Sequence, residues 1–284
     1  MVTALSGVDV ALWDLKGKHF GAPIHVLMGG PVRREVRAYA TGTYRRGKAD
    51  PLGYVVDEVK GYAREGFSAV KLKIGFGVGP DTALIRACRA AVGPGVALML
   101  DANHGYDAIE AVALGRAVAG CDIGWFEEPV VPDDIGSYLE VRRGQPIPVA
   151  GGETWFTRWN FREVLEQRAV DIVQPDVCAV GGLSEAKKIA DMAAAYGVRC
   201  VPHVWGTGIG LATALQLLAV LPHNPPRHTP LEPLLEFDRS EHPFRQAIMT
   251  QPIEHSGGFV KVPDGPGLGI AIDPSALLRF AKSP

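Results

Sequence analysis

Short apolar runs alternate along the chain with longer stretches in which apolar positions recur every three or four residues. The short runs are Val36–Thr41, Ala69–Ile74, Ala97–Asp101, Ile123–Glu128, Pro148–Glu153, Asp171–Pro175, Arg199–His203 and Pro230–Glu236. Most are rich in Val, Ile and Leu, as strands covered on both faces should be. The longer stretches, among them Thr82–Ala91, Ile109–Ala119, Arg162–Arg168, Ser184–Tyr196 and Ile209–Val220, predict helices. The last is apolar nearly all round and is expected to be buried. Gly66, Gly93, Gly120, Gly144, Gly197 and Pro222 each follow a helical stretch and punctuate the junctions.

Eight strands alternating with helices predict an α/β fold, a (β/α)8 barrel of the TIM type. The competitor, a doubly wound open sheet, would carry a glycine-rich phosphate loop after its first strand. Here that strand runs into Thr41-Gly42-Thr43-Tyr44-Arg45-Arg46, which is no such loop. Two segments stand outside the repeat. Residues 1–32 hold one helix, Ala4 to His19, and the glycine pair Gly29-Gly30; residues 246–284 are turn-rich from Gly257 through Pro263-Asp264-Gly265-Pro266-Gly267. Both read as pieces of a second, smaller domain around a barrel at 33–245.

Length and composition fit one large domain, with 284 residues of which 47% are hydrophobic. A formal net charge of −2 argues against a nucleic-acid partner or an anionic membrane surface, and no apolar run is long enough to span a bilayer. The first residues lack the basic segment and apolar stretch of a signal peptide. Cys88, Cys121, Cys178 and Cys200 form no CxxC pair and no zinc-type cluster. They are expected to be buried, reduced thiols of a cytoplasmic protein.

The candidate chemistry sits at the strand ends. Lys71 and Lys73 close the second predicted strand, Asp101 the third, Glu127 the fourth and Glu153 the fifth; Asp176 follows the sixth, His203 closes the seventh and Glu236 the eighth. From Lys73 onward the steps run from 23 to 33 residues, the length of one strand–helix unit, so these groups should converge on the barrel mouth where this fold places its active sites.

Lys71 and Lys73 alternate with Val70, Leu72 and Ile74, which points both lysines inward. Mutual repulsion and lost hydration should lower the pKa of one of them and make it a base; the alternative is an edge strand with solvated lysines. Asp101, Glu127 and Glu153 would repel one another without a cation, and an all-oxygen set suits Mg²⁺; the alternative is three unrelated surface acids. Asp176 beside His203 would orient the imidazole and raise its pKa. Glu236 would meet a substrate carboxylate if protonated, or orient a neighbour if not. Asn103, His104, Trp155 and Trp205 lie beyond strand ends and are candidates for substrate contact. Trp125 is read as packing, and Glu128 as structural because it alternates away from Glu127.

Together Lys71-Leu72-Lys73, Leu100-Asp101-Ala102-Asn103, Trp125-Phe126-Glu127-Glu128-Pro129, Gly152-Glu153-Thr154, Gln174-Pro175-Asp176, Pro202-His203-Val204 and Leu235-Glu236-Phe237-Asp238 resemble the enolase superfamily, in its mandelate racemase-like branch. The resemblance implies one Mg²⁺ per chain on Asp101, Glu127 and Glu153. It also implies removal of the proton next to a carboxylate through a metal-stabilised enediolate, with Lys73 on one face and His203 on the other. Lys73–Val78, Asp101–Tyr106, Phe126–Pro132, Gln145–Trp155, Val201–Gly208 and Pro243–Arg245 are closer still to the cycloisomerases of that branch. These imply a small acid-sugar substrate, a lactone opened by β-elimination to a 3-deoxy-2-keto-hexarate. A sugar-acid dehydratase is the nearest alternative, a racemase is third, and an inactive truncated fragment is the reading from another class. Barrels of this branch assemble, which implies a homo-oligomer. The branch also carries an α+β capping domain, and the resemblance places Ala4-Leu5-Ser6-Gly7 inside its last helix. The expectation is a barrel whose mouth lacks its cover and stays wet and poorly selective.

Overall fold

A computed structural model describes residues 1–45, 47–225, 228–229 and 231–281. Eight parallel strands form its centre: β1 Glu35–Thr41, β2 Ala69–Lys73, β3 Ala97–Asp101, β4 Ile123–Glu127, β5 Val149–Gly151, β6 Ile172–Val173, β7 Arg199–Cys200 and β8 Leu235–Asp238. Helices α1 Val2–Phe20 and α2 Ile24–Leu27 precede them. The helices α3 Pro51–Arg64, α4 Val78–Val92, α5 Ala108–Ala117, α6 Ile135–Gly144, α7 Thr157–Gln167, α8 Leu183–Ala195 and α9 Gly208–Val220 fall between successive strands. After β8 come α10 Pro243–Ala247, a short hairpin of β9 His255–Ser256 and β10 Phe259–Lys261, and α11 Pro274–Phe280.

The parallel strands pair in the order β8-β1-β2-β3-β4-β5-β6-β7. Among the described residues no ladder joins β7 to β8; instead the Val204 N–H donates across that seam to Glu236 Oε2 at 3.1 Å. Side-chain alternation divides the core in two. Inward positions below the mouth are filled by Tyr39, Met99 and Trp125 with Ala69, Ala150, Ile172 and Val201. Outward positions such as Val70, Leu72, Leu98, Leu100 and Phe126 pack under the helices with Leu84, Ile85, Leu114 and Phe161. Each fully buried Leu, Ile or Phe adds about 1.5–3 kcal/mol, so this outer layer dominates the fold's hydrophobic term. Helix α9 is buried from Leu211 through Val220, as its all-round apolar pattern predicts. Its polar Gln216 accepts from the His25 backbone N–H and donates to the Pro263 carbonyl, tying α2 and the tail to the barrel.

Several strands end earlier than their apolar runs. Strand β5 stops at Gly151 because Gly152 adopts φ +145, where an added Cβ would stand 2.8 Å from the Gln174 nitrogen. Strands β6 and β7 keep two residues each, since Pro175 and Pro202 lack the N–H that would extend a ladder. The eighth strand starts at Leu235 rather than Pro230, which lies outside the described residues, and Pro233 cannot donate to a ladder. Glu236 is therefore inside β8 and does not close it. The β9–β10 hairpin, where β10 runs antiparallel to β1 with Val36 opposite Val260, was hidden in the turn-rich tail by its shortness.

Helix α1 is anchored on one face only. Trp13 Nε1 donates to Ser184 Oγ at 2.8 Å, and the Ser184 N–H to Asp9 Oδ2 at 2.9 Å. Leu5, Val8, Leu12 and Leu15 form an exposed stripe, each at least 57% accessible. All four cysteines are unpaired; Cys88 and Cys121 are buried as expected, whereas Cys178 and Cys200 are only partly so.

Candidate active site

Eight of the predicted site residues, Lys71, Lys73, Asp101, Glu127, Glu153, Asp176, His203 and Glu236, meet at the carboxyl ends of the strands. Asp101, Glu127 and Glu153 each present an oxygen to a common space, the three atoms lying within 4.8 Å of one another. Asp101 and Glu127 terminate β3 and β4 side by side in register, and Glu153 follows β5 by two residues after the Gly152 turn. An all-carboxylate set of this spacing fits a hard divalent cation completed by substrate and water. Electrostatics point the same way. Burial pushes the Glu127 carboxyl up to about 7, with Asp101, Glu236 and Glu153 adding to it against Lys71. Burial likewise raises Glu153, against the opposing pull of His203, whose Nε2 lies 3.2 Å from Glu153 Oε2. Burial thus works against the charged form of two of the three carboxylates, an effect that a divalent cation between them would oppose.

Glu127 is held by three donors: Lys71 Nζ at 2.6 Å on Oε1, and Trp125 Nε1 at 2.9 Å and Gln174 Nε2 at 2.6 Å on Oε2. Trp125 therefore does more than pack. Gln174 was not singled out from sequence, although the Gln174-Pro175-Asp176 run that contains it was visible. Glu128, with φ +41, leaves the strand alternation. Its buried carboxylate accepts from Thr154 Oγ1 at 2.9 Å and lies 2.7 Å from His104 Nε2. That hydrogen bond raises the His104 pKa against the effect of burial.

The two lysines do face inward, but their expected charge state is corrected. Lys71 is fully buried and ion-pairs with Glu127 at 2.6 Å, Glu236 at 2.8 Å and Asp101 at 3.5 Å. Lys73, partly exposed, donates to Asp101 Oδ2 and, at 2.9 Å, to Asn103 Oδ1. Burial alone would lower both, as lysine-pair repulsion would; the carboxylates outweigh it and raise both in the metal-free protein. The same cations, opposing the effect of burial, hold Asp101 below its ordinary value, and Lys71 and His203 do so for Glu236.

His203 lies three residues beyond β7 rather than at its end. Its Nδ1–H donates to Asp176 Oδ2 at 2.6 Å, and Asp176 Oδ1 accepts the Cys178 N–H at 2.6 Å. That leaves Nε2 facing the carboxylates, 3.2 Å from Glu153 Oε2 and 4.0 Å from Glu236 Oε2. Burial opposes a charged imidazole, yet Glu236, Asp176 and Glu153 push its pKa up to about 10. Strands β2 and β7 flank β3–β6, so Lys73 and His203 approach the carboxylates from opposite sides.

Asn103 and His104, at φ +40 and +65, turn back over the mouth. Trp205 is 52% exposed and meets His242 edge-on. Trp155 is corrected: it is 5% exposed, packed between Tyr138 and Phe161, with Nε1 donating to the Pro132 carbonyl at 2.9 Å. Its indole belongs to the core beneath the helices, because the Gly152 turn swings residue 155 outward. Tyr44, missed from sequence, has its ring 5.9 Å from Lys73 Nζ.

A barrel with acids ending β3 and β4 and following β5, between a lysine and a histidine, defines a class of enzyme, and comparison with known proteins agrees. Residues 54–276 match the enolase C-terminal domain-like family, and residues 1–29 match the mandelate racemase / muconate lactonizing enzyme N-terminal domain. The chain belongs to the enolase superfamily, in its mandelate racemase / muconate lactonizing enzyme group, and is an enzyme of that kind. It is 54% identical over 279 residues to D-galactarolactone cycloisomerase of Agrobacterium fabrum, spanning 98% of this chain and 74% of that one. It is 39% identical over 272 residues to arabinonate dehydratase of Saccharolobus solfataricus, spanning 95% and 70%. The solved 3,6-anhydro-D-galactonate cycloisomerase of Zobellia galactanivorans superposes with a TM-score of 0.91 at 40% identity, covering 99% of this chain and 76% of that one. No helix among the described residues is long and apolar enough to cross a membrane.

Proposed function

We propose that the chain opens a sugar-acid lactone of the galactarolactone type, after removing the proton next to its carboxylate, at an Mg²⁺ site made by Asp101, Glu127 and Glu153. The convergence of these three acids between Lys73 and His203 carries the reading, and 54% identity to a cycloisomerase supports the substrate class. When bound, the cation supplies positive charge to the substrate carboxylate and to the negative charge that develops beside it.

Lys73 Nζ and His203 Nε2 hold or move protons on opposite faces of the substrate. Asp176 fixes the imidazole so that only Nε2 exchanges its proton with the substrate. Lys71, sealed from solvent, holds Glu127 and Glu236 in place and stays outside the proton transfer. The electron pair of the broken C–H bond forms a C=C bond, and the ring oxygen on the β-carbon leaves as a carboxylate. The enol then takes a proton at the β-carbon to give the 3-deoxy-2-keto-hexarate. Asn103, His104, Tyr44 and Trp205 are the side chains we assign to substrate contact at the mouth. A cytoplasmic setting fits the four unpaired cysteines.

A dehydratase acting on an open-chain sugar acid is the second reading, favoured by the arabinonate dehydratase relative. NMR of galactarolactone in D₂O, with and without Mg²⁺, separates the alternatives. Ring opening with loss of the α-proton and one deuterium at the β-carbon of the 2-keto product supports the cycloisomerase. Exchange without opening indicates a racemase, and water loss from an open-chain hexarate a dehydratase.

We also propose that residues 1–32 and 246–284 belong to a second structural unit beside the barrel. The exposed stripe of α1, the match of residues 1–29 to a separate domain family and the bridge between Pro23 and Gly267 support this division. The same stripe is where we place contact with further protein, including another copy of the chain in a homo-oligomer.

A further inference from the structure

Asp81, in the first turn of α4, is fully buried, and its carboxylate is shared by three loops of the mouth. Oδ2 accepts the N–H groups of Gly75 and Phe76, each at 2.8 Å, and the Tyr106 hydroxyl. Oδ1 accepts from Arg45 Nη2. Arg45 comes from the loop after β1, Gly75 and Phe76 from the exit of β2, and Tyr106 from the loop after β3. The same Arg45 nitrogen donates to the Lys73 carbonyl at 3.0 Å, and its guanidinium lies 3.9 Å from the Phe76 ring centre. Each anchored segment carries a side chain of the mouth: Tyr44 beside Arg45, Lys73 itself, and Asn103 and His104 before Tyr106.

A buried carboxylate–guanidinium pair is a weak source of net stability, because desolvation offsets most of its attraction. What four convergent donors on one carboxylate do provide is a single arrangement of the groups that donate. The opposite side of the mouth has its own tie: Arg245 donates to Asp238 and, at 3.2 Å, to the Gly206 carbonyl next to Trp205. The Lys73 face and the His203 face are thus held by separate networks.

We propose that Asp81 is a positioning residue for Lys73. Through Arg45 on the Lys73 carbonyl and through the N–H groups of Gly75 and Phe76, it fixes the strand end from which the Lys73 ammonium reaches the substrate. This rests on the proton-moving role of Lys73 proposed above.

The test measures the rate of α-proton loss by NMR in D₂O with Mg²⁺, on galactarolactone and on its epimer at the α-carbon. Lys73→Met identifies which epimer Lys73 serves: its proton loss disappears while the other's persists. Asp81→Asn leaves one acceptor oxygen for four donors and turns an amide N–H₂ against one of them. It should slow the Lys73 epimer by about a hundredfold, the loss that a misplacement near 1 Å brings. The His203 epimer should change by no more than about threefold, and calorimetric Mg²⁺ affinity should stay the same. Arg45→Lys, a milder change that decides the matter if Asp81→Asn does not fold, should slow the same epimer by about tenfold. A folded variant that slows both epimers alike, or neither, overturns the assignment of Asp81. Lys73→Met leaving both epimers unaffected overturns the role of Lys73, and the Asp81 assignment with it.

Discussion

The Nδ1 of His203 donates to Asp176 Oδ2 at 2.6 Å, and this contact turns Nε2 toward the carboxylates. The imidazole gains its charge from neighbours that exist only in the fold, so its folded pKa, about 10, stands above the ordinary 6.5. The stabilisation from this pairing is full below pH 6.5 and is lost as pH rises through about 10. NMR of the metal-free protein should find His203 protonated at neutral pH, and Asp176→Asn should move its titration downward. A wild-type His203 that titrates at or below its ordinary value would contradict the geometry.

Metal should stabilise the fold by mass action. Mg²⁺ at about a hundred times its Kd should add about 2.7 kcal/mol to unfolding, raising Tm reversibly with EDTA. Because metal-free Glu127 holds its proton up to about 7, affinity should fall as pH drops below that value. Thermal melts of wild type and of Asp101→Asn, which should lose the shift, check both points.

Gln174 and Trp125 aim Glu127 Oε2. Gln174→Leu conserves volume but leaves that oxygen with one donor, and should weaken Mg²⁺ binding by about ten- to a hundredfold with little loss of stability. Calorimetric titration measures the ratio, and an unchanged affinity would remove Gln174 from the site.

The two tryptophans should separate by measurement. Trp155→Ala opens a core cavity and should cost about 3–5 kcal/mol in urea unfolding. Trp205→Ala, at the exposed mouth, should raise KM at near-constant stability. The reverse pattern would contradict their placement.

The barrel was legible because each inward polar residue interrupts an apolar run at the interval of one strand–helix unit, and Asp101, Glu127 and Glu153 meet as that spacing implies. What escaped was set by backbone geometry that periodicity does not carry. Strand alternation placed Glu128 away from the site, but its positive φ returns it to His104; the Gly152 turn carries Trp155 into the core. Repulsion between Lys71 and Lys73 alone predicts a lowered pKa, but the spacing along β2 carries no sign of Asp101, Glu127 and Glu236, whose approach reverses it. Asp81 gave no signal at all: a single acid in a helical first turn becomes a hub only when three loops fold over it.

The central claim is that Asp101, Glu127 and Glu153 share one divalent cation. Diffraction from crystals grown with Mn²⁺, measured above and below the manganese edge, tests it most directly. One anomalous peak per chain should appear within coordination distance of all three carboxylates, with Lys73 and His203 on opposite sides of it. Manganese bound elsewhere, or a vacant triad at a concentration that saturates the thermal shift, would contradict it.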